Sequence, residues 1–211
     1  KAFIFDKVIE GQGGLPLGAQ PRLIGMLDDG IDSAVACWLV MKRGCPIIPL
    51  YFDNTPYAND NMTKRTIDHA KTLFDWAIGF SRRMYIVPNG QNLQEIVKKH
   101  PNHLTCLLCK RMMYKTAEKV AEMLKAEGIV TGETIGPLHS LSLHDLNMLS
   151  QAVRQYPIHR PLLGFDKQEM EELATKIGIH PPLVEGKGCT IMSTKPKKIT
   201  KLQEVIEVEK K

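Results

Sequence analysis

The chain is predicted to be an α/β protein, a parallel twisted sheet with helices on both faces. Three observations support this. Short apolar runs of strand length recur as far as residue 161. Segments with helical spacing of apolar residues follow them, and Gly, Pro, Asn or Asp mark most of the junctions. Strands alternating with helices imply parallel pairing, because each crossover needs a helix to return the chain.

Residues 1–20, rich in Gly and Pro, read as a lead-in segment. The first strand is predicted over 23–27. The first helix follows over 33–43, where Ala34 and Ala36 favour helix and Gly44 ends it. A second strand over 46–52 precedes a helix over 59–76 with Met62, Ile67, Ala70, Leu73 and Phe74 apolar. A third strand covers 83–87, and a short helix over 93–99 stops at Pro101. A long helix over 106–127 carries Met112, Met113, Ala117, Val120 and Leu124 on one face. Strand 129–131 is closed by Gly132. Helix 147–152, strand 158–161 and helix 166–177 complete the order, and no strong period continues past Pro181. The expected organisation is a lead-in over 1–20, one domain over 21–195 and a basic tail over 196–211. Lys195, Lys197, Lys198 and Lys201 read as solvated.

Hydrophobic content of 43% and charged content of 24% are ordinary for a soluble globular protein. No apolar run approaches the roughly 18 residues of a membrane helix, and no secretory leader is visible, so no membrane partner is expected. Five unevenly spaced cysteines fit a reducing cytoplasm better than a disulfide framework. A net charge of +5 permits a nucleic-acid partner without requiring one.

Three groups of residues carry chemistry. The first is Leu23-Ile24-Gly25-Met26-Leu27-Asp28-Asp29-Gly30-Ile31-Asp32-Ser33, a strand, loop and helix start. Such a loop presents backbone N–H groups at a helix N-terminus, where a phosphate is stabilised. Asp29 or Asp32 as a plain acidic helix cap is the alternative. The second is Cys106-Leu107-Leu108-Cys109 with the distant Cys189, a set of three thiols able to converge on a metal or cluster. His100 and His103 keep a zinc site open, and unrelated thiols are the alternative. Cys37 and Cys45 read as core. The third is polar: Lys110 and Arg111, Thr131-Gly132-Glu133, and Arg160-Pro161-Leu162. Cations near a phosphate loop can clamp leaving pyrophosphate, although Lys-Arg on a helix is commonly a solvated face.

The loop resembles the pyrophosphate loop of adenine-nucleotide α-hydrolases, Ser-Gly-Gly-x-Asp-Ser. Gly30, Asp32 and Ser33 match it, and Asp28 and Asp29 stand where it has Ser-Gly. Further matches are Lys42-Arg43-Gly44-Cys45, Lys110-Arg111-Met112-Met113 with Ala117 and Ala121-Glu122, and Val130-Thr131-Gly132-Glu133-Thr134-Ile135-Gly136. Arg160-Pro161-Leu162 and Cys189 complete the set. Together, from about Gly13 to Pro196, the chain resembles the tRNA 4-thiouridine synthetase (thiamine-biosynthesis sulfurtransferase) family, in its archaeal-type branch without a rhodanese domain.

That resemblance implies a Rossmann-like PP-loop fold and ATP-dependent sulfur transfer to tRNA. ATP adenylates O4 of a uridine with release of pyrophosphate, and sulfur then displaces AMP at C4. It implies Asp32, Lys110 and Cys189 as catalytic residues, and Gly30, Asp32, Ser33, Phe52, Gly132 and Arg160 as nucleotide contacts. Asp32 would act through Mg²⁺. Cys106, Cys109 and Cys189 would hold a 4Fe–4S cluster with one open iron, with Zn²⁺ as the alternative and a persulfide on Cys189 as the variant mechanism. A sulfide or persulfide donor, tRNA and a possible homodimer are the implied partners. No counterpart of the family's ferredoxin-like and THUMP regions occurs in these residues, so either a separate tRNA-gripping protein is expected or the substrate is not tRNA. After Gly136 the family has Gln-Val-x-Ser-Gln-Thr, where this chain reads Pro137-Leu138-His139-Ser140-Leu141-Ser142. Two other readings stay open. One is a non-adenylating relative acting as sulfur carrier, binding module or partner subunit. The other is a zinc-stabilised α/β domain using Cys106, Cys109, Cys189 and His103.

Overall fold

A computed structural model describes residues 4–100, 102–135, 142–180, 189–190 and 202–209. Strands β1 (Leu23–Met26), β2 (Ile47–Asp53), β3 (Tyr85–Pro88), β4 (Ile129–Val130) and β5 (Ile158–His159) form one sheet in the order β3-β2-β1-β4-β5. Every neighbouring pair is parallel, and Gly25 of β1 lies opposite both Pro49 and Val130. All strands therefore leave the sheet at one edge. The chain runs from β1 outward to β2 and β3, then crosses to β4 and β5. The order reverses between β1 and β4, which is where sheets of this kind open a ligand crevice.

Successive strand residues serve opposite faces. Leu23, Leu27 and Val130 join a core with α1 (Ile31–Met41), α2 (Asp60–Trp76) and α6 (Lys167–Lys176). Ile24, Leu50 and Ile129 pack on the other side with Ala117 and Ala121 of α4 (Asn102–Leu124). Helices on both faces of a parallel sheet are what the sequence predicts. Gly25 brings α1 close, since a Cβ there would lie 2.6 Å from the Cys37 sulfur and 2.7 Å from Ile47.

Side-chain caps open several of the helices. Asn59 accepts a hydrogen bond from the Met62 amide to open α2, and Asp166 with Glu169 forms a capping box for α6. Ser142 with Asp145 does the same for α5 (Leu143–Ser150), which starts four residues earlier than expected. The capping signal was in the sequence, but the apolar period was too short to reveal the first turn. Helix α4 likewise begins before Cys106, so Cys106 and Cys109 lie one turn inside it, three residues apart on one face.

The expected solvated tail is corrected over 202–209. These residues form α7 (Leu202–Glu209), whose Val205 is buried with Leu104, Leu108 and Met148. Arg111 is also not on a solvated face. Its guanidinium is buried, paired with Glu209 at 2.7 and 3.0 Å, and donates to the Met148 carbonyl. Pro137 to Leu141, the tail lysines and Pro181 lie outside the described residues, as does the side chain of His103. Among the described residues, no helix is long and apolar enough to cross a membrane.

Candidate functional site at the carboxyl edge of the sheet

Helix α1 opens at Gly30, which is extended (φ −82°, ψ 148°) and caps the helix without a side-chain hydrogen bond. The acidic-cap reading of Asp29 or Asp32 is thus not the arrangement adopted. The loop is organised from within by Asp28. Its Oδ1 accepts from the Gly30 amide at 3.0 Å and from the Ser33 hydroxyl at 2.7 Å. Ser33 is buried, and its Oγ also accepts from the Asp28 amide at 3.0 Å.

Helix α2 holds the loop from one side. Arg65 pairs with Asp29, and the buried His69 places Nδ1 3.3 Å from the Asp28 carbonyl oxygen. Asp28 is accessible to solvent, yet protein crowds it as on the wall of a cleft. That crowding, with the charge of Asp29, outweighs the Ser33 and Gly30 hydrogen bonds and the Lys110 cation. The Asp28 carboxyl is held above its ordinary range. Burial and the Asp28 charge likewise raise Asp32, against the cation Lys167 of α6. Burial lowers His69, which favours the neutral ring.

Gly132 follows β4 and meets the start of α1. A Cβ on it would lie 2.6 Å from both the Asp32 carbonyl carbon and the Ser33 Cα. Gly132 therefore closes the crevice floor by backbone contact across the β1/β4 switch point.

Arg160 and Phe52, both expected at the nucleotide, make contacts within the protein, although Arg160 Nη2 is buried with no hydrogen-bond partner among the described residues. The Arg160 guanidinium bonds Glu133 at 2.6 Å and the Ser150 hydroxyl at 3.0 Å, and lies over the Tyr114 ring. Tyr114 donates to the same Glu133 oxygen at 2.6 Å, and Thr131 donates at 3.2 Å. Burial and the Glu133 charge push the Tyr114 hydroxyl far up, keeping it neutral and donating. The Phe52 side chain is buried with Ile24, Leu50 and Ala117, so any contribution to a ligand falls to its backbone.

The cysteine group sits beyond β2 and β3. Asn89, buried at the end of β3, donates to Cys109 Sγ at 3.6 Å and to Asn54 at 2.6 Å. Burial pushes the Cys109 thiol up to about 11, with Cys189 and Cys106 both near enough to contribute. The neighbouring Thr190 amide bonds the Tyr57 carbonyl at 3.0 Å, which fixes Cys189 beside the loop after β2. Lys110 is exposed on α4, and its charge is felt at both Asp28 and Cys109. Among the described residues, no group of three or more His, Cys, Asp or Glu side chains is arranged to hold a metal ion. Cys37 is buried and Cys45 half-buried, both away from this group.

The fold thus brings Gly132 against the α1 start that carries Gly30, Asp32 and Ser33, and sets Cys106 and Cys109 on α4 near Cys189. Two cavities, of about 280 and 300 Å³, lie elsewhere: one against Trp38, Trp76 and Lys42, the other between α4 and α7. Arg65, His69 and Asn89 escaped sequence reasoning. For His69 there was a signal, a polar residue on the buried stripe of Met62, Ala70 and Leu73.

The thiamine biosynthesis protein (ThiI) family model matches residues 18–211. The chain belongs to that family. Among curated relatives, a "Probable tRNA sulfurtransferase" of Methanosarcina acetivorans is 37% identical over 212 residues, covering 100% of this chain and 51% of its own length. A "tRNA sulfurtransferase" of Thermoplasma volcanium is 34% identical over 211 residues, covering 100% of this chain and 44% of its own. The chain spans about half the length of these ThiI-family relatives. A crystal structure of a 4-thiouridine synthetase in complex with RNA and bound ATP superposes with a TM-score of 0.88 and 29% identity. That match covers 96% of this chain and 53% of the other.

Proposed function

We propose that this chain is the ATP-using α/β unit of a tRNA sulfurtransferase that makes a 4-thiouridine-type base. The observation that carries the reading is the match of 96% of the chain to a 4-thiouridine synthetase whose structure contains RNA and ATP. The local chemistry agrees. The α1 start lacks a side-chain cap, which leaves its amides available to an anion, and Lys110 is an exposed cation whose charge acts on Asp28 of the loop.

In this reading the uridine O4 attacks the α-phosphorus of ATP. The P–O bond to pyrophosphate breaks, and O4 becomes part of an AMP leaving group. A sulfur nucleophile then bonds to C4, and AMP departs with O4. Gly30, Ser33 and the α1 amides hold the phosphates, and Lys110 offsets charge growing on the departing pyrophosphate. Asp32, through Mg²⁺, is the metal contact of this reading, supported by its place at the first turn of α1. Cys189 is the sulfur-handling residue, supported by its closeness to Cys109. Gly132 serves the site by letting the β4 loop reach α1.

An iron–sulfur cluster, or zinc, on Cys106, Cys109 and Cys189 belongs to the same reading. Its support is the sequence resemblance alone, since among the described residues these thiols are not arranged as a group that could hold a metal ion. Such a cluster would supply an open iron for sulfide, and none of the steps above is routed through it. Where the rest of the tRNA is gripped falls to a further region or a separate protein. The cytoplasm is the matching compartment.

The test is to incubate the protein anaerobically with tRNA, ATP, Mg²⁺ and sulfide, then digest the tRNA and measure 4-thiouridine by mass spectrometry. ATP-dependent formation of the thiolated base, lost in Cys189→Ala, is expected. Intact ATP and no thiolated base, with the tRNA-gripping partner supplied, would overturn the reading.

A further inference from the structure

The loop differs from the family pattern at Asp28 and Asp29, and the structure gives the two acids different positions. Asp29 turns outward to Arg65 on α2. Asp28 turns inward, and its Oδ1 takes up the Gly30 amide and the Ser33 hydroxyl. Those are two of the donors that the nucleotide reading assigns to phosphate. We propose that the Asp28 carboxylate is an internal occupant of the phosphate site, and that ATP binds only when this side chain rotates away.

Three features make this a side-chain switch rather than a loop movement. His69 meets the Asp28 carbonyl and Arg65 holds Asp29, so the main chain on either side of the carboxylate is pinned to α2. Gly132 packs against the α1 start from the opposite side. The Asp28 side chain is accessible to solvent, so rotation has somewhere to go. Its oxygen and a phosphate oxygen seek the same two hydrogens, and the two anions repel at this range. Occupancy of one excludes the other. A state in which Asp28 holds the donors about nine-tenths of the time lowers the apparent ATP affinity about tenfold. Nucleotide capture then depends on ATP concentration, and the empty site keeps its donors satisfied.

This inference rests on the ATP reading above. The experiment is calorimetric titration of Mg·ATP into the full chain, wild type against Asp28→Ser and Asp28→Asn, with thermal melts as a folding check. Asp28→Ser is expected to bind about tenfold tighter than wild type. Asp28→Asn, uncharged but still able to accept from Ser33, is expected to fall between them. Wild-type binding that neither variant tightens would overturn the inference and leave the ATP reading standing. Absence of ATP binding in all three folded proteins would overturn both. Should Asp28→Ser fail to fold, Asp28→Asn decides alone, and an affinity equal to or below wild type counts against the proposal.

Discussion

Lys110 and Arg111 are adjacent on α4, yet they serve two regions built on different terms. On the outer side of the helix, Arg111 is buried against α7, with Glu209 and the Met148 carbonyl occupying its donors. On the inner side, Lys110 is exposed, and its charge reaches Asp28 and Cys109. A helical step of about 100° separates a sealed charge from an open one. The sealed pair positions the helix, and the open cation is left for a ligand. The β4 side repeats the contrast. Arg160 is paired through Nε and Nη1 with Glu133 and Ser150, whereas the α1 start has no side-chain cap.

The comparison breaks most visibly at Glu209. Glu209→Ala leaves the Arg111 guanidinium buried without its partner, and is expected to cost about 3 kcal/mol in urea unfolding. An unchanged midpoint would mean that α7 does not hold α4. Next is Gly132→Ala, which sets a Cβ against the backbone of Asp32 and Ser33. A loss of about 1–3 kcal/mol is expected, with weaker ATP binding by calorimetry. Native stability with normal ATP affinity would show that β4 and α1 do not meet at this point.

Acid sharpens the same contrast more gently. Arg111 and Lys115 hold the Glu209 carboxyl below its ordinary value, although burial opposes them. The folded form therefore binds the proton less readily than the unfolded form. The stability this contributes is present above about pH 4.5, the ordinary glutamate range, and is lost as pH falls through the lower folded value. Unfolding measured from pH 6 to pH 3 should show this loss, and Glu209→Gln should flatten that part of the curve.

Much of the fold was legible because its signals were local. The β1 run, the alanines of α1 and the breaks at Gly44 and Pro101 were enough to predict a parallel sheet covered on both faces. The site was legible where residues are close in sequence, as in Gly30, Asp32 and Ser33. It was illegible where distant elements decide. Arg111 looked solvated because its partner Glu209 comes 98 residues later, in a segment with no strong period. The partners of Arg160 could not be read from the sequence, because Glu133, Tyr114 and Ser150 meet its Nε, its ring-facing side and its Nη1 only once β4, β5 and α4 are packed. Phe52 ends an apolar strand, and nothing in that run told a core ring from one facing the crevice.

The most direct test of the contrast between open and sealed charges is ATP titration of Lys110→Ala beside its thermal melt. The account predicts unfolding within about 0.5 kcal/mol of wild type, as for an exposed residue, together with ATP binding weakened about tenfold, one close charge contact. Unchanged ATP affinity, or a large loss of stability, would contradict it.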